Sequence, residues 1–240
     1  IFRLALPAIL AQVAGTLMQL IDASMAGRLG SLAAASIGLV ASSTWLFSGI
    51  CRGVIFGFSV QTAQTIGAGN DELAARICRQ GLAAILLFAL TFAVTGLFVA
   101  PHLPVWLHGE PAIQSMASAY FGWWCLFLPF LMLNEWAVQM LQATGNTRLP
   151  GMLQILMCAL DVVFNWFFIF QLNLGVAGAA IGTGAAAICT SLYLAWFTLV
   201  RSPFLSGHHS FRFRKETIQR AVKIGLPVSV EQLVPGRGYV

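Results

Sequence analysis

The chain has 240 residues, of which 58% are hydrophobic and 9% are charged. Soluble domains carry roughly 25% charged residues and less than half apolar ones, so this composition argues against a soluble fold. The net charge of +5 is not gathered on a polar face with interleaved aromatic residues, and it therefore does not indicate a nucleic-acid partner.

Long apolar stretches divide the chain into six predicted membrane-spanning helices and the start of a seventh. A helix needs roughly 20 apolar residues to cross a hydrocarbon core of about 30 Å. The stretches are continuous and much longer than the alternating strands of a membrane barrel, so an all-α membrane protein is predicted. The predicted helices lie near residues 4–28, 33–65, 77–100, 115–141, 150–172 and 176–200, and the seventh begins near 221.

The basic residues between these helices predict the topology. Arg76 and Arg79 follow the second helix, Arg148 follows the fourth, and a basic run follows the sixth, whereas the opposite loops contain Arg28 alone. Loops rich in Lys and Arg remain in the cytoplasm. Both termini are therefore predicted to face the cytoplasm.

A polar stretch at residues 201–220 is predicted to be a linker between two lobes. Residues 1–200 would form a six-helix lobe, and residues 221–240 would begin a second lobe. In support, the segments 4–13 and 224–233 align at an offset of 220 with Leu, Pro and Gln in common, as a second repeat would show. Because the segment 235–240 would continue a membrane helix poorly, we expect a truncated seventh helix and a chain that is a fragment.

Four ionisable residues lie inside the apolar stretches: Asp22, Arg52, Glu135 and Asp161. Each costs about 2.5–3.5 kcal/mol at the centre of a membrane helix, so each is expected to face a partner or a water-filled cavity. Arg52 is better explained by an ion pair or a side chain that reaches the interface, and Glu135 fits a structural or a functional role equally. For Asp22 and Asp161 the surrounding residues favour function.

Polar groups at helical spacing accompany the two aspartates. Asn165 follows Asp161 by four residues and so shares its helix face, and Gln19 precedes Asp22 by three. Carboxylate and amide oxygens, with the hydroxyl of Thr183, suit a hard cation such as Na⁺. Two carboxylates brought close together can instead share a proton. The sequence leaves the choice between H⁺ and Na⁺ open and predicts no other metal or cofactor.

The predicted sixth helix is rich in glycine around Thr183. Gly178 and Gly182 are four residues apart, which places them on one helix face. Small residues at this spacing allow helix backbones to approach closely within membranes. We therefore expect a neighbouring backbone to approach the sixth helix at these two positions.

Five segments together resemble a known family. They are Leu6–Pro7 with Gln12 and the run Asp22–Gly30, then Ala63–Gly69, Gln142–Pro150, Gly175–Thr183 and Ile224–Pro227. In this order they resemble the multidrug and toxic compound extrusion (MATE) transporters, with the bacterial DinF-like branch the most similar. The resemblance covers nearly the whole chain.

The resemblance implies a twelve-helix antiporter of two six-helix lobes, with this chain as its N-lobe and the C-lobe as its partner. Such a protein is not an enzyme. It lies in the bacterial inner membrane and exports cationic or amphipathic small molecules in exchange for H⁺ or Na⁺.

The resemblance also implies a coupling site in the N-lobe. Its aspartate, tyrosine and threonine correspond here to Asp22, Tyr120 and Thr183, and its two polar positions in the fifth helix correspond to Asp161 and Asn165. Three further residues are candidates for lining the central cavity that the resemblance implies, or for surrounding the site: Gln19, Arg52 and Glu135. The family commonly has Asn before Asp in the fifth helix. The reversed order here moves the carboxylate about 6 Å along the helix, one turn.

Three other functions fit the sequence less well than the antiporter does. A flippase for lipid-linked oligosaccharides, from the same wider superfamily, would need several basic residues for pyrophosphate, and Arg52 alone qualifies. A membrane-embedded protease would need an HExxH motif or a GxGD context, and the sequence contains neither. A channel would need rings of like groups from several subunits, which nothing in the sequence indicates. The antiporter remains the leading hypothesis, with the flippase and the membrane enzyme as alternatives.

Overall fold

The computed structural model describes the backbone of residues 2–205 and 215–233, and the side chains of residues 13–205 and 215–229. Within these ranges the secondary structure is helical and contains no strand, which confirms the all-α prediction. Two π-helical segments extend the helices that end at Trp166 and Trp196, and they are Phe167–Gln171 and Phe197–Arg201. The helices are α1 Phe2–Arg28, α2 Ser31–Gly67, α3 Asp71–Val99, α4 Leu103–Trp106, α5 Pro111–Ala143, α6 Arg148–Trp166, α7 Gly175–Trp196 and α8 Lys215–Leu233.

Five of the helices are long and apolar enough to cross a membrane. They are α2, α3, α5, and α6 and α7 with their π-helical extensions. α1 has 27 residues, which exceeds the roughly 20 needed for a crossing, although it is not among those five. The predicted six-helix bundle corresponds to α1 together with these five helices.

Two helices begin about six residues earlier than the apolar pattern predicts. α3 begins at Asp71 and α8 at Lys215, rather than near residues 77 and 221. α3 is capped by Asn70, whose side-chain oxygen accepts a hydrogen bond from the Leu73 N–H at 3.0 Å. Glu216 lies in the first turn of α8, where the helix dipole favours an acidic side chain. The polar first turns are therefore helical although they lack the apolar residues of a membrane span.

The predicted linker therefore overlaps a helix. Residues 215–220 already belong to α8, and residues 206–214 lie outside the described part of the chain. The predicted end of the seventh helix at residues 235–240 also lies outside the described residues. The division into lobes remains a prediction.

Two of the family-like segments form the ends of helices. Gly69 follows α2 with φ +75° and Gly145 follows α5 with φ +81°, a backbone conformation that side chains disfavour. After each glycine an asparagine N–H donates back to the helix at 3.1 Å, from Asn70 to the Thr65 carbonyl and from Asn146 to the Leu141 carbonyl. These glycines therefore terminate helices and allow the short turns that follow.

The chain forms two compact units. The first unit contains residues Ile1–Thr44, Leu90–Leu131 and Thr147–Thr190, and the second contains Trp45–Ala89, Met132–Asn146 and Ser191–Val240. Within the first unit α1 packs along α6. A buried core of Met157, Ala186 and Ala187 joins α6 to α7, so these helices position the polar groups described below.

In the second unit the backbones of α2 and α8 come into direct contact. A Cβ atom on Gly57 would lie 2.7 Å from the Ala221 carbonyl carbon, and a Cβ atom on Gly225 would lie 2.7 Å from the Gly53 carbonyl carbon. Non-bonded carbon atoms approach to about 3.5 Å at best, so neither position has room for a side chain. Small residues thus allow this close packing, as is common between membrane helices.

Candidate functional site

Three polar side chains come together in the first unit, one from α1 and two from α6. The Asn165 Nδ2 atom donates a hydrogen bond to Asp22 Oδ1 at 2.9 Å and another to Asp161 Oδ2 at 3.0 Å. Asp161 is 0% exposed and Asn165 is 1% exposed, while Asp22 is partly buried. A single amide group therefore joins two carboxyl groups from two helices.

The packing of α1 along α6 brings the two carboxyl groups close together. Asp22 and Asp161 lie within hydrogen-bonding reach, so that one carboxyl can donate to the other when it is protonated. Two unit charges 4 Å apart repel by about 4 kcal/mol at an effective dielectric constant of 20. The pair is therefore suited to hold a proton or a small cation, because either relieves this repulsion.

Two further helices contribute hydroxyl groups to the cluster. Thr183 of α7 interacts with the Asp161 carboxyl group. Tyr120 of α5 lies close enough to Asp22 and Asp161 for their charges to act on its hydroxyl. The five predicted coupling residues thus lie together, and they come from α1, α5, α6 and α7.

Two oxygens of the cluster lack hydrogen-bond partners among the described residues. Asp161 Oδ1 and Asn165 Oδ1 are both buried and accept no hydrogen bond there. A buried polar atom without a partner costs about 1–3 kcal/mol. Carboxylate and amide oxygens are ligands that hard cations prefer, so these oxygens fit the chemistry of Na⁺ binding.

Glycines on α7 allow it to approach α6 closely, as the sequence predicts. A Cβ atom on Gly182 would lie 2.8 Å from the Asn165 backbone nitrogen, and one on Gly178 would lie 2.9 Å from the Phe168 carbonyl carbon. Both positions therefore require glycine for the observed packing. The sequence predicts a close approach at both glycines but not that Gly182 contacts Asn165.

Three predicted residues do not take part in the hydrogen bonds of the cluster. Gln19 is exposed on α1, and the described hydrogen bond to Asp22 comes from Asn165 instead. Arg52 is exposed and Glu135 is partly exposed, and both belong to the second unit. Arg52 forms no ion pair with any residue whose side chain is described. The roles suggested for these three residues remain predictions.

Sequence reasoning missed the neighbours that lie one turn from the aspartates. Met18 precedes Asp22 by four residues, Met157 precedes Asp161 by four, and both methionines belong to one apolar cluster. Cys158 lies close enough to both carboxyl groups for their charges to act on its thiol. The signal was available as helical spacing, but an apolar residue at such spacing is usually part of the core.

The helical spans define a multi-pass membrane protein, and the cluster around Asp161 is suited to hold a proton or a small cation. The MatE family model matches residues 7–167, which is more than half of the chain. The chain therefore belongs to the MATE family of transporters.

Curated relatives are named for multidrug resistance or for transport. A "Probable multidrug resistance protein NorM" from Shewanella oneidensis is 24% identical over 241 residues, covering 96% of this chain and 51% of that protein. A protein from the same organism named "FAD transporter" is 28% identical over 169 residues, covering 68% of this chain and 37% of that protein. The chain thus spans about half the length, or less, of these relatives.

Solved structures share the fold. One is described as an outward-facing conformation of a multidrug resistance MATE family transporter, with a TM-score of 0.90 and 25% identity. The match covers 97% of this chain and 52% of the solved chain. A MOP superfamily transporter from Pyrococcus furiosus gives the same TM-score and identity, and its description attributes to it a binding pocket of reverse polarity. The chain matches about half of each structure, as one six-helix lobe of a MATE transporter would.

Proposed function

We propose that this chain is the N-lobe of a secondary antiporter that exports cationic or amphipathic small molecules in exchange for H⁺ or Na⁺. The observation that carries the proposal is the pair of carboxyl groups, Asp22 and Asp161, which Asn165 joins. Family membership and the relatives named as multidrug resistance proteins support drug export.

The carboxyl pair couples ion binding to helix packing. When both carboxyl groups are ionised, they repel one another across the contact between α1 and α6. A bound proton or Na⁺ removes that repulsion and so favours the packed arrangement of the two helices. An ion shifts such an equilibrium only as far as it prefers one of the two states. Release of the ion therefore favours a second arrangement, in which access to the substrate cavity differs.

Replacing the first carboxyl group tests the proposal. In a full-length transporter that carries this chain, Asp22→Asn removes the ionisable group and is expected to abolish ion-driven export. Asp161→Asn should weaken export severely. Drug efflux from proteoliposomes under an imposed pH or Na⁺ gradient is the measurement, with correct folding checked by elution of the purified variant as a single species. Wild-type efflux in Asp22→Asn would exclude the coupling role.

One relative favours a second candidate substrate. The similarity to the protein named "FAD transporter" suggests a flavin dinucleotide, which is an anion rather than a cation. Anionic substrates call for basic groups in the cavity, and Arg52 of α2 is an exposed candidate. Uptake assays with a fluorescent organic cation and with FAD, run on the same proteoliposomes, distinguish the two substrate classes. Transport of FAD without transport of the cation would overturn the cationic assignment.

A further inference from the structure

Gly182 of α7 lies directly against the amide group that joins the two aspartates. A Cβ atom at this position would overlap Asn165 Oδ1 and would lie 2.8 Å from the Asn165 backbone nitrogen and 3.0 Å from its Cα. The contact involves both the backbone of Asn165 and the end of its side chain. Any residue other than glycine must displace Asn165 or push α7 away from α6.

This contact completes the set of interactions that hold the Asn165 amide. Both hydrogens of its Nδ2 atom are directed to carboxyl oxygens, one to Asp22 and one to Asp161. Its Oδ1 atom is buried without a hydrogen-bond partner among the described residues. Gly182 lies on that side, since a Cβ atom at this position would overlap Oδ1. Turning the amide around would direct its oxygen at two carboxyl groups, so the observed orientation is the favourable one.

We propose that Gly182 is a positioning residue for the coupling site, because it holds Asn165 where the amide bridges Asp22 and Asp161. This inference rests on the proposed function of the same cluster. The backbone of α7 then belongs to the site. α7 contacts the site twice, because Thr183 interacts with the Asp161 carboxyl group and Gly182 contacts the Asn165 amide. A movement of α7 relative to α6 therefore changes how well the cluster binds its ion.

Gly178 provides a matched control on the same helix. It lies one turn before Gly182, and a Cβ there would lie 2.9 Å from the carbonyl carbon and oxygen of Phe168 and 3.0 Å from the Ile169 nitrogen. Gly178→Ala therefore disturbs the packing of α7 on the same neighbouring segment, and the atoms nearest to the new Cβ belong to Phe168 and Ile169 rather than to Asn165. A difference between the two alanine variants isolates the contact with Asn165.

The experiment compares Gly182→Ala and Gly178→Ala in a full-length transporter that carries this chain. The readouts are the maximal export rate and the Na⁺ or proton concentration that gives half of that rate in proteoliposomes. Gly182→Ala is expected to raise the half-saturating concentration by about tenfold or more, the effect usual for groups that orient ion ligands. Gly178→Ala also displaces α7 but does not act on the Asn165 amide directly, so it should raise this concentration by a clearly smaller factor. The titratable groups near Asn165, namely Asp22, Asp161, Tyr120 and Cys158, are the same in both variants.

A second variant tests the same contact from the other side and covers the case in which Gly182→Ala does not fold. Asn165→Gln keeps the amide but needs space for one more methylene group beside Gly182, so it should also raise the half-saturating concentration. An unchanged value in Asn165→Gln, or equal values in the two alanine variants, would overturn the positioning role. Full export in Asp22→Asn would instead overturn the proposed function itself, so the two failures are distinct.

Discussion

Thr183 adds a neutral hydroxyl oxygen beside the Asp161 carboxyl group. We expect Thr183→Ala to reduce ion-driven export less than Asp22→Asn does, since a water molecule can replace one neutral oxygen. Thr183→Ser, which retains the hydroxyl, should transport at close to the wild-type rate. Efflux from proteoliposomes under the same imposed gradient measures all three variants. Loss in Thr183→Ala as complete as in Asp22→Asn would make the hydroxyl an essential ligand.

The order of the two polar residues in α6 has a visible consequence. Asp161 precedes Asn165 by one turn, and the later residue reaches both carboxyl groups with its two amide hydrogens. An aspartate in place of Asn165 would bring a third carboxyl group to the same point and would supply no donors. The amide at this position therefore holds together two groups that would otherwise repel.

At the scale of helices, the close contact between α2 and α8 predicts a marked sensitivity to side-chain size. Gly57→Ala would force a Cβ against the backbone of Ala221, and overpacking of this kind costs about 1–3 kcal/mol. We expect a lower thermal unfolding midpoint in detergent for this variant.

Gly38 is the control for that prediction, because it lies on the same helix and a Cβ there would meet nothing within 4 Å. Gly38→Ala should keep or raise the unfolding midpoint, since alanine favours helices over glycine by about 0.5–1 kcal/mol. Equal midpoints for Gly57→Ala and Gly38→Ala would mean that α2 and α8 are not in tight contact.

At the scale of the whole molecule, the distribution of basic residues predicts that both termini face the cytoplasm. The turn between α4 and α5 should then lie outside the cell. Gly109 in this turn is a poor site for a reporter cysteine, because a Cβ there would lie 3.0 Å from the Pro104 carbonyl oxygen and would also contact Leu39. Glu110 is exposed and suits the test better.

We expect Glu110→Cys, in a background without the five native cysteines, to react with an impermeant thiol reagent added outside intact cells. Asp71→Cys at the start of α3 is exposed and should react only after the cells are opened. Labelling with the reverse pattern would invert the predicted topology.

The sequence by itself determined the membrane class, the all-α fold and the approximate helix bounds, and it predicted the five residues of the candidate site. It could do so because spanning a bilayer requires long apolar helices, and because ionisable groups such as Asp22 and Asp161 are costly inside a bilayer and therefore indicate a functional site. The sequence did not locate the first turns of α3 and α8, since polar residues in a helix leave no hydropathy signal. Only the tertiary structure decided which groups meet: that Asn165 bridges both aspartates, that Gly182 contacts Asn165, and that Gln19 takes no part in the hydrogen bonds of the cluster. Such contacts depend on how helices distant in sequence pack together, and helical spacing specifies the face of one helix but not the neighbour it meets.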